Sequence, residues 1–475
     1  MTGLLIQNGE IGGVTRALRI RDGRIHAIAP DLAPVADETC LDARGGAVLP
    51  GLHDHHIHLF ALAAARDSVA CGPPAVHAES ELRATLEAAA EAARRSGAGK
   101  GWLRGIGYHE SVAGPLDRRR LDALVPDIPL RIQHRSGALW LLNSAALDAL
   151  AAPGSGPLPP GVEVDAGGQP TGRLHREDAW LRKRLGAAGP PALAAVGREL
   201  ARLGVTGVCD ATPANSTEEL ALFDTAARSG ELPQRLRVMG DMALPQASHP
   251  AIRAGELKIM LDENHLPPPS TLVETIREAH NRGRGVAFHC VTRAELVVAA
   301  AALEDAGSGR RDRIEHASLA PPDAVELLAR LGVTVVTQPN FLLERGDAYR
   351  DDVPARDQSW LYRGRGFLDA GVPLAAGTDA PFGACDPWAA MRAAVQRRSA
   401  TGAPMQTDEA LTPEEALALF TSPLESPGTP RGPLEPGQAA DLVVLDRPWH
   451  AARARLDAGD VSATLIAGHP VFRRD

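Results

Sequence analysis

The residues best suited to chemistry in this sequence are histidines, and they cluster near its start. Residues 49–59 read Leu-Pro-Gly-Leu-His-Asp-His-His-Ile-His-Leu. Because side chains alternate along a strand, His56 and His58 share one face with Asp54, and the remaining two histidines share the other. Two imidazoles two residues apart on one face can converge on a single metal ion, and histidine is the commonest metal ligand. The pattern predicts a metal site rather than a polar strand end with surface histidines.

Three further residues of metal-ligand type follow apolar runs later in the chain: His289, His316 and Asp379. In an α/β barrel, active sites lie at the carboxyl ends of the strands, where these side chains would meet. Together with His56 and His58 they form four imidazoles and one carboxylate, nitrogen and oxygen donors of the kind that bind zinc. One such residue alone is often structural, but all five at one barrel edge favour a metal centre.

Lys258 is a sixth candidate, because it stands in the otherwise apolar run 257–261. One interpretation is a lysine that extends its ammonium to solvent or forms an ion pair. The other is a buried amine with a lowered pKa, which can react with carbon dioxide to give a carbamate. A carbamate is an anionic oxygen donor that could bridge two metal ions.

The elements that must position these residues differ between the ends and the middle of the chain. Near the start, short apolar runs are separated by Asn8-Gly9 and Asp22-Gly23, pairs typical of hairpin turns. The end of the chain shows similar short runs. We therefore expect one small β-sheet domain built from both termini.

The middle of the chain alternates apolar runs with helix-like segments, which favours a parallel sheet flanked by helices. Eight runs make a (β/α)8 TIM barrel the predicted fold. The runs are residues 47–58, 205–211, 234–242, 257–262, 285–290, 313–317, 333–339 and 372–379.

The gap between the first two runs is too long for one helix, so we predict an inserted subdomain after the first barrel strand. The predicted organisation is a composite β-sandwich from residues 1–50 and 425–475 and a barrel at 51–424. The insertion spans about 65–195.

Composition narrows the class of protein. The chain has 475 residues, 44% of them hydrophobic, which excludes a disordered chain. Its net charge of −9 gives no indication of nucleic-acid or membrane partners. Five scattered cysteines indicate a reducing compartment, and we see neither a signal peptide nor a membrane-spanning run. We expect a cytoplasmic protein with a small-molecule substrate; a homodimer is compatible with these features.

The motifs resemble the amidohydrolase superfamily of metal-dependent hydrolases along essentially the whole chain. Within it, the long insertion is similar to the branch of N-substituted formamide deformylases and related amide hydrolases. The segments that carry the resemblance are 5–9, 21–25, 49–58, 139–144, 313–317, 377–381 and 436–443.

The resemblance implies a ligand set. His56, His58 and Asp379 would bind the more buried metal ion. His289 and His316 would bind a second ion, and a carboxylated Lys258 would bridge the two. The implied cofactor is Zn²⁺, one or two ions per chain, with other divalent metals and a mononuclear site as alternatives.

The implied reaction is hydrolysis of a linear amide, N-acyl or N-formyl C–N bond by metal-activated hydroxide. Asp379 would carry the proton from water to the leaving nitrogen, and His316 or the metal would stabilise the oxyanion. Candidates for substrate contact are Tyr108, His134, Trp140, Arg173, Gln338 and Asn340. The alternatives are a lactonase or esterase, a deaminase or a non-oxidative decarboxylase on the same fold, or a non-catalytic scaffold.

Overall fold

The computed structural model describes residues 3–95, 101–151, 158–186, 191–309 and 311–474. It divides into two compact units. One comprises Met1–Leu59 with Leu193–Asp475, and the other, the insertion unit, comprises Phe60–Ala192. No helix in the described ranges has the length and apolar character needed to cross a membrane.

The strands of the described residues are, in chain order, β1 (Gly3–Ile11), β2 (Val14–Arg21), β3 (Arg24–Ala29), β4 (Glu38–Asp42), β5 (Val48–Pro50), β6 (Leu52–Ile57), β7 (Val69–Ala70), β8 (Leu103–Tyr108), β9 (Leu130–His134), β10 (Leu139–Leu142), β11 (Val162–Val164), β12 (Pro170–His175), β13 (Val205–Asp210), β14 (Arg235–Gly240), β15 (Ile252–Met260), β16 (Val286–Cys290), β17 (Arg313–His316), β18 (Thr334–Thr337), β19 (Leu374–Ala376), β20 (Leu442–Leu445), β21 (Val461–Ile466) and β22 (His469–Arg473).

The α-helices are α1 (Leu59–Arg66), α2 (Glu79–Arg95), α3 (Glu110–Ala113), α4 (Arg118–Asp122), α5 (Ser144–Leu150), α6 (Asp178–Leu185), α7 (Ala194–Arg202), α8 (Thr217–Ser229), α9 (Pro269–Asn281), α10 (Arg293–Ala306), α11 (Pro322–Leu331), α12 (Asn340–Asp352), α13 (Arg365–Asp369), α14 (Pro387–Gln396), α15 (Pro413–Leu419) and α16 (Trp449–Ala452). Short 3-10 turns lie at Glu263–His265, Gln358–Trp360, Thr407–Glu409 and Ala458–Asp460.

The predicted barrel is confirmed. Eight parallel strands run in the order β19-β18-β17-β16-β15-β14-β13-β6. The first and last of them meet where the Asp379 N–H donates to the His56 carbonyl at 2.7 Å. Helices alternate with the strands, and capping boxes fix the starts of three of them, with Ser216 and Glu219 at α8, Thr292 and Glu295 at α10, and Thr412 and Glu415 at α15. The carboxyl ends of the eight strands therefore form one edge.

Two four-stranded sheets carry the chain ends, in the orders β3-β2-β1-β4 and β22-β21-β20-β5. Their facing side chains share one apolar core, to which Leu4, Leu18, Leu442 and Leu465 belong. The predicted run 47–58 is split between two sheets, because β5 pairs with β20 while β6 enters the barrel. The structure thus builds the end sheets from both termini.

One turn prediction is wrong. Asn8-Gly9 does not end a strand; it lies inside β1 as an irregularity in the pairing with β2, with Asn8 at φ 55°. The chain reverses instead at Gly12-Gly13, where both residues have positive φ. Asp22-Gly23 does form the turn predicted between β2 and β3. An Asn-Gly pair supports a bulge as readily as a hairpin, since both need left-handed backbone.

The insertion unit has a six-stranded sheet of its own, in the order β11-β12-β10-β9-β8-β7. The strands β7, β8 and β9 are parallel, and the remaining pairs are antiparallel. Helix α2 lays Leu82, Leu86 and Ala90 into the core of this unit. The four-residue spacing of these side chains explains why the Ala-rich segment forms an amphipathic helix.

Candidate metal centre

Strand β6 presents its histidines as the alternation predicts. His53 and His55 point together at one segment, where His53 Nδ1 lies 2.7 Å from the Ser422 carbonyl and His55 Nε2 3.0 Å from the Ser422 hydroxyl. His56 and His58 take the opposite face, with their ring centroids 5.3 Å apart. The first pair is engaged by Ser422, and the second faces the strand ends where the other predicted ligands lie.

The other predicted ligands gather around His56 and His58 at the same strand ends. Asp379 Oδ1 lies 3.4 Å from His56 Nε2 and 3.1 Å from His58 Nε2. His316 has its ring centroid 4.8 Å from that of His56 and 4.6 Å from that of His289. One ligand atom each from His56, His316 and Asp379 lie within 4.8 Å of one another.

This donor set fits a divalent cation. Asp379 Oδ1 is buried and has no hydrogen-bond partner among the described residues, although two imidazole nitrogens are near enough in distance. Those nitrogens therefore approach the oxygen without the geometry of a shared proton. Since a buried carboxylate oxygen is nearly always satisfied, the converging oxygen and nitrogens are explained by a metal ion between them.

Each of three imidazoles is oriented through its Nδ1. His56 Nδ1 contacts the Glu315 carboxylate, His58 Nδ1 lies 2.9 Å from Thr212 Oγ1, and His316 Nδ1 lies 2.7 Å from Gln338 Oε1. An Nδ1–H that donates to such an acceptor leaves the Nε2 lone pair for a metal.

Burial supports this protonation state. It lowers the pKa of His56 well below its ordinary value, with the nearby Lys258 adding to the effect, and it lowers the pKa of His316. Both rings are therefore neutral at neutral pH, as metal ligands must be.

The contact of Glu315 extends into a buried ion pair that sequence reasoning missed. Glu315 accepts from Arg313 Nε at 2.5 Å, and Arg313 Nη2 donates to the His55 carbonyl at 2.7 Å. Both side chains are fully buried. Glu315 thus holds His56 as the carboxylate of a carboxylate–histidine–metal arrangement. Its position next to His316 was the only signal in the sequence.

Asp54 was placed on the metal face by the alternation, but its role emerges only from the structure. It accepts from the backbone N–H groups of His56 and Thr378 at 3.1 and 3.0 Å and from the Thr378 hydroxyl. Burial raises the pKa of Asp54 to about 6, although these donors oppose the rise. Asp54 thereby ties β6 to the segment that carries Asp379.

The backbone at the strand ends has unusual conformations. His316, Ala317 and Asp379 have φ of 69°, 47° and 56°, the left-handed region that costs a non-glycine residue of order 1–3 kcal/mol. At Gly377, a Cβ would overlap the backbone nitrogen of His56, so only glycine allows β19 to approach β6 this closely. The backbone at these strand ends is therefore locally strained where the candidate ligands come together.

Lys258 lies on β15 next to Ala287 of β16, and it is buried at 6% exposure. Its Nζ has no hydrogen-bond partner among the described residues. Burial lowers the pKa of Lys258, although the Glu315 carboxylate opposes the shift. An ammonium left without a partner is costly, whereas a neutral amine would suit this environment, and an anionic carbamate would suit it with a metal ion to pair its charge.

Of the predicted substrate contacts, two belong to the barrel. Gln338 is fully buried, and its amide oxygen contacts His316 Nδ1 and so orients that ring; substrate contact by Gln338 stays a prediction. Asn340 donates to the Thr378 carbonyl at 3.0 Å, and its buried Oδ1 has no partner among the described residues. Asn340 remains suited to a substrate contact; neither role was evident from a strand-end amide alone.

The other four lie in the insertion unit, where each has a partner of its own. Tyr108 is buried in the core, and its hydroxyl donates to the Gly114 carbonyl. Trp140 Nε1 donates to Asp178 at 2.8 Å. Arg173 donates to Glu163 at 3.2 Å, and His134 Nε2 lies 2.9 Å from Glu110. The surroundings of Tyr108 and Trp140 serve packing, and substrate contact by these four stays a prediction.

Comparisons with known proteins agree with the geometry. The model of the amidohydrolase family matches residues 39–472. An N-substituted formamide deformylase of Arthrobacter pascens is 28% identical over 543 aligned residues, covering 98% of each chain.

Two solved structures share the fold. An uncharacterized metal-dependent hydrolase from Pyrococcus horikoshii OT3 superposes with a TM-score of 0.72 at 21% identity, covering 94% of this chain and 98% of the other. One from Pyrococcus furiosus gives 0.69 at 22% identity, covering 94% and 99%.

Proposed function

The chain belongs to the amidohydrolase family, and we propose that it hydrolyses a linear amide of the N-formyl or N-acyl class. It is a metal-dependent enzyme that acts on C–N bonds. The observation that carries the proposal is the buried Asp379 oxygen that faces the Nε2 atoms of His56 and His58. The substrate class is supported by the formamide deformylase, which is similar over 98% of both chains.

His56, His58 and Asp379 would hold one divalent ion, and His289 and His316 would hold a second. We propose Zn²⁺, because imidazole and carboxylate donors suit it. When bound, such an ion supplies a Lewis acid and lowers the pKa of a water molecule toward about 7. The protein supplies the orientation of the rings, through Glu315, Thr212 and Gln338.

Asp379 has the position to handle the proton of the reaction. Its carboxylate would accept a proton from the attacking water and return it to the leaving nitrogen, which must be protonated for the amine to depart. The left-handed backbone at Asp379 and the Asp54 contact to Thr378 hold the carboxylate at this edge.

His316 can fill one of its two predicted roles at a time. Its Nδ1 is engaged by Gln338, so Nε2 alone faces the site. If Nε2 binds a metal, it cannot also donate to an oxyanion; with a single ion bound to the first group, it could donate only as an imidazolium, because the neutral ring carries its proton on Nδ1. The number of ions per chain therefore decides the role of His316.

We propose that Lys258 carries a carbamate that bridges the two ions. Replacing Lys258 with Ala should lower the metal content from two ions to one, measured by elemental analysis of purified protein. The control is Lys183→Ala, which removes an exposed lysine of α6 in the insertion unit and should leave the metal content unchanged. Unchanged two-ion content in Lys258→Ala would refute the bridge.

The substrate class is tested by incubating purified protein with N-formyl amines, N-acyl amines and lactones. Release of amine from the amides is followed alongside acid release from the lactones. Turnover of the amides, lost in Asp379→Asn, is the expected result. Turnover of lactones alone would show that the fold serves the lactonase alternative.

A further inference from the structure

The insertion unit contains a second group of metal-ligand side chains. One nitrogen each of His109 and His134 and one carboxylate oxygen of Glu110 lie within 4.8 Å of one another. We propose that His109, Glu110 and His134 bind a divalent transition-metal ion of the zinc class. This cluster, the insertion cluster, requires no residue of the barrel site.

The fold brings the three residues together at the ends of two neighbouring parallel strands. Tyr108, the last residue of β8, pairs with His134, the last residue of β9. His109 follows at once and is the N-cap of α3, which begins at Glu110. The site is therefore built on regular elements, which fix ligand positions better than loops do.

Both imidazoles sit in the same local motif, histidine followed two residues later by serine. His109 Nδ1 lies 2.8 Å from Ser111 Oγ and accepts from the Ser111 N–H at 3.3 Å. His134 Nδ1 lies 2.8 Å from Ser136 Oγ and accepts from the Ser136 N–H at 3.1 Å. Each ring therefore has a donor and an acceptor for its Nδ1.

This pairing serves both tautomers of His134. Without metal, Nδ1 accepts from the Ser136 N–H, which places the proton of the neutral ring on Nε2, 2.9 Å from the Glu110 carboxylate that accepts it. With metal bound, the proton would move to Nδ1 and be donated to Ser136 Oγ, the Ser136 N–H would give up Nδ1 as its acceptor, and the Nε2 lone pair would be free for the ion. No net proton is gained or lost in this exchange, and the serine hydroxyl takes the place that a carboxylate or carbonyl often has.

An ordinary ion pair between His134 and Glu110 explains only part of the arrangement. The His109 ring also adjoins it, 5.9 Å from that of His134, centroid to centroid. All three residues are half-buried, so the site is open to solvent. Two imidazoles and one carboxylate leave a coordination position for water or another ligand, as in zinc sites with three protein ligands.

The test uses the full chain with His56→Asn, His58→Asn, His289→Asn and His316→Asn, so that both proposed ions of the barrel site lose their histidine ligands. Chelator-treated protein is titrated with Zn²⁺ and analysed for metal content. We expect one ion per chain to remain, and to be lost when Glu110→Gln and His134→Gln are added. The matched control is His77→Gln, since His77 is an exposed histidine of the same unit that contacts the Pro74 carbonyl.

A second pair of variants separates ligand loss from misfolding. Ser111→Ala and Ser136→Ala keep all three ligands but remove the hydroxyl acceptors, and should weaken Zn²⁺ binding by about 10–100-fold. Circular dichroism establishes that each variant is folded. If the barrel-disabled protein binds no Zn²⁺, or if the glutamine variants still bind it, the proposal is wrong.

Discussion

The barrel site and the insertion cluster both place imidazoles and a carboxylate at the carboxyl ends of parallel strands. They differ in what holds the rings. In the barrel, the partner of His56 is Glu315 on another strand, the partner of His316 is Gln338 directly after another strand, and the site is buried. In the insertion cluster, each ring is held by a serine two residues away, and the site is half-exposed.

The difference teaches how ligand geometry is obtained. Long-range partners fix a ring only after the whole barrel has formed, and in a buried site they make each group depend on the others. Local partners, such as a serine two residues after a histidine, fix a ring within one turn of the chain. This arrangement does not depend on the packing of the rest of the unit. In the barrel site, the effect of one substitution should therefore extend to several ligands. In the insertion cluster, the effect should be confined to the substituted ligand.

The largest expected effect is that of Asp379→Asn. The amide keeps the shape of the side chain but cannot accept the proton of water, so turnover should fall by about 10²–10⁴-fold while bound metal is largely retained. Steady-state amine release and metal analysis of the same sample measure the two quantities. Full activity in this variant would remove Asp379 from its proposed role.

Glu315→Gln should next disturb both metal binding and folding. Losing the carboxylate frees the His56 ring, which lowers metal affinity by about 10–100-fold. It also leaves Arg313 buried without its counter-charge, which costs about 3–5 kcal/mol of unfolding free energy. Glu304→Gln, whose pair with Arg330 is exposed, is the control and should change neither quantity appreciably.

A smaller effect concerns pH. Burial lowers the pKa of His53 to about 4, although its contact with the Ser422 carbonyl opposes the shift. In the unfolded chain the His53 imidazole is therefore protonated below about pH 6.5, whereas in the folded chain it stays neutral until the pH approaches 4. The contribution of His53 to the free energy of unfolding is therefore fully present above about pH 6.5. It is lost as the pH falls toward 4, and the total loss is about 3 kcal/mol.

His53→Gln should flatten this dependence, measured as unfolding free energy by urea between pH 7 and pH 4.5. His175→Gln, at a half-exposed side chain of the insertion unit, should leave the slope as it is. Equal slopes in wild type and His53→Gln would show that His53 is not protected from protonation.

Much of this organisation is readable from the sequence because it rests on local patterns. The helix-like segments predicted between the later apolar runs are present as helices, among them α9 and α10. The alternation in β6 correctly separated the two pairs of histidines. Apolar periodicity and strand alternation are properties of short segments, so one chain suffices to see them.

What sequence reasoning missed depends on contacts between distant segments. Glu315 and Thr212 hold imidazoles that lie far away along the chain, and no spacing rule points to them. The contact of the Gln338 amide oxygen with His316 was not predicted either, and the predicted substrate contact of Gln338 stays a prediction. The wrong turn at Asn8-Gly9 has a similar cause, because pairing with β2 decides between a bulge and a hairpin.

The smallest expected effect belongs to the insertion cluster. Ser136→Ala should reduce Zn²⁺ affinity there, while the metal content of the barrel site stays unchanged, because the hydroxyl contact is local. Metal analysis of the variant with and without an intact barrel site measures both. Loss of metal from the barrel site in Ser136→Ala would show that the Ser136 contact does not act locally, contrary to the difference described between the two regions.

The most direct test of the central claim compares amine release from an N-formyl amine before chelation, after chelation and after Zn²⁺ is restored. Wild-type protein should lose turnover with its metal and regain it on reconstitution. The His56→Asn, His58→Asn variant should stay inactive throughout. Undiminished turnover by metal-free protein, or full activity in that variant, would contradict a metal-dependent centre at these histidines.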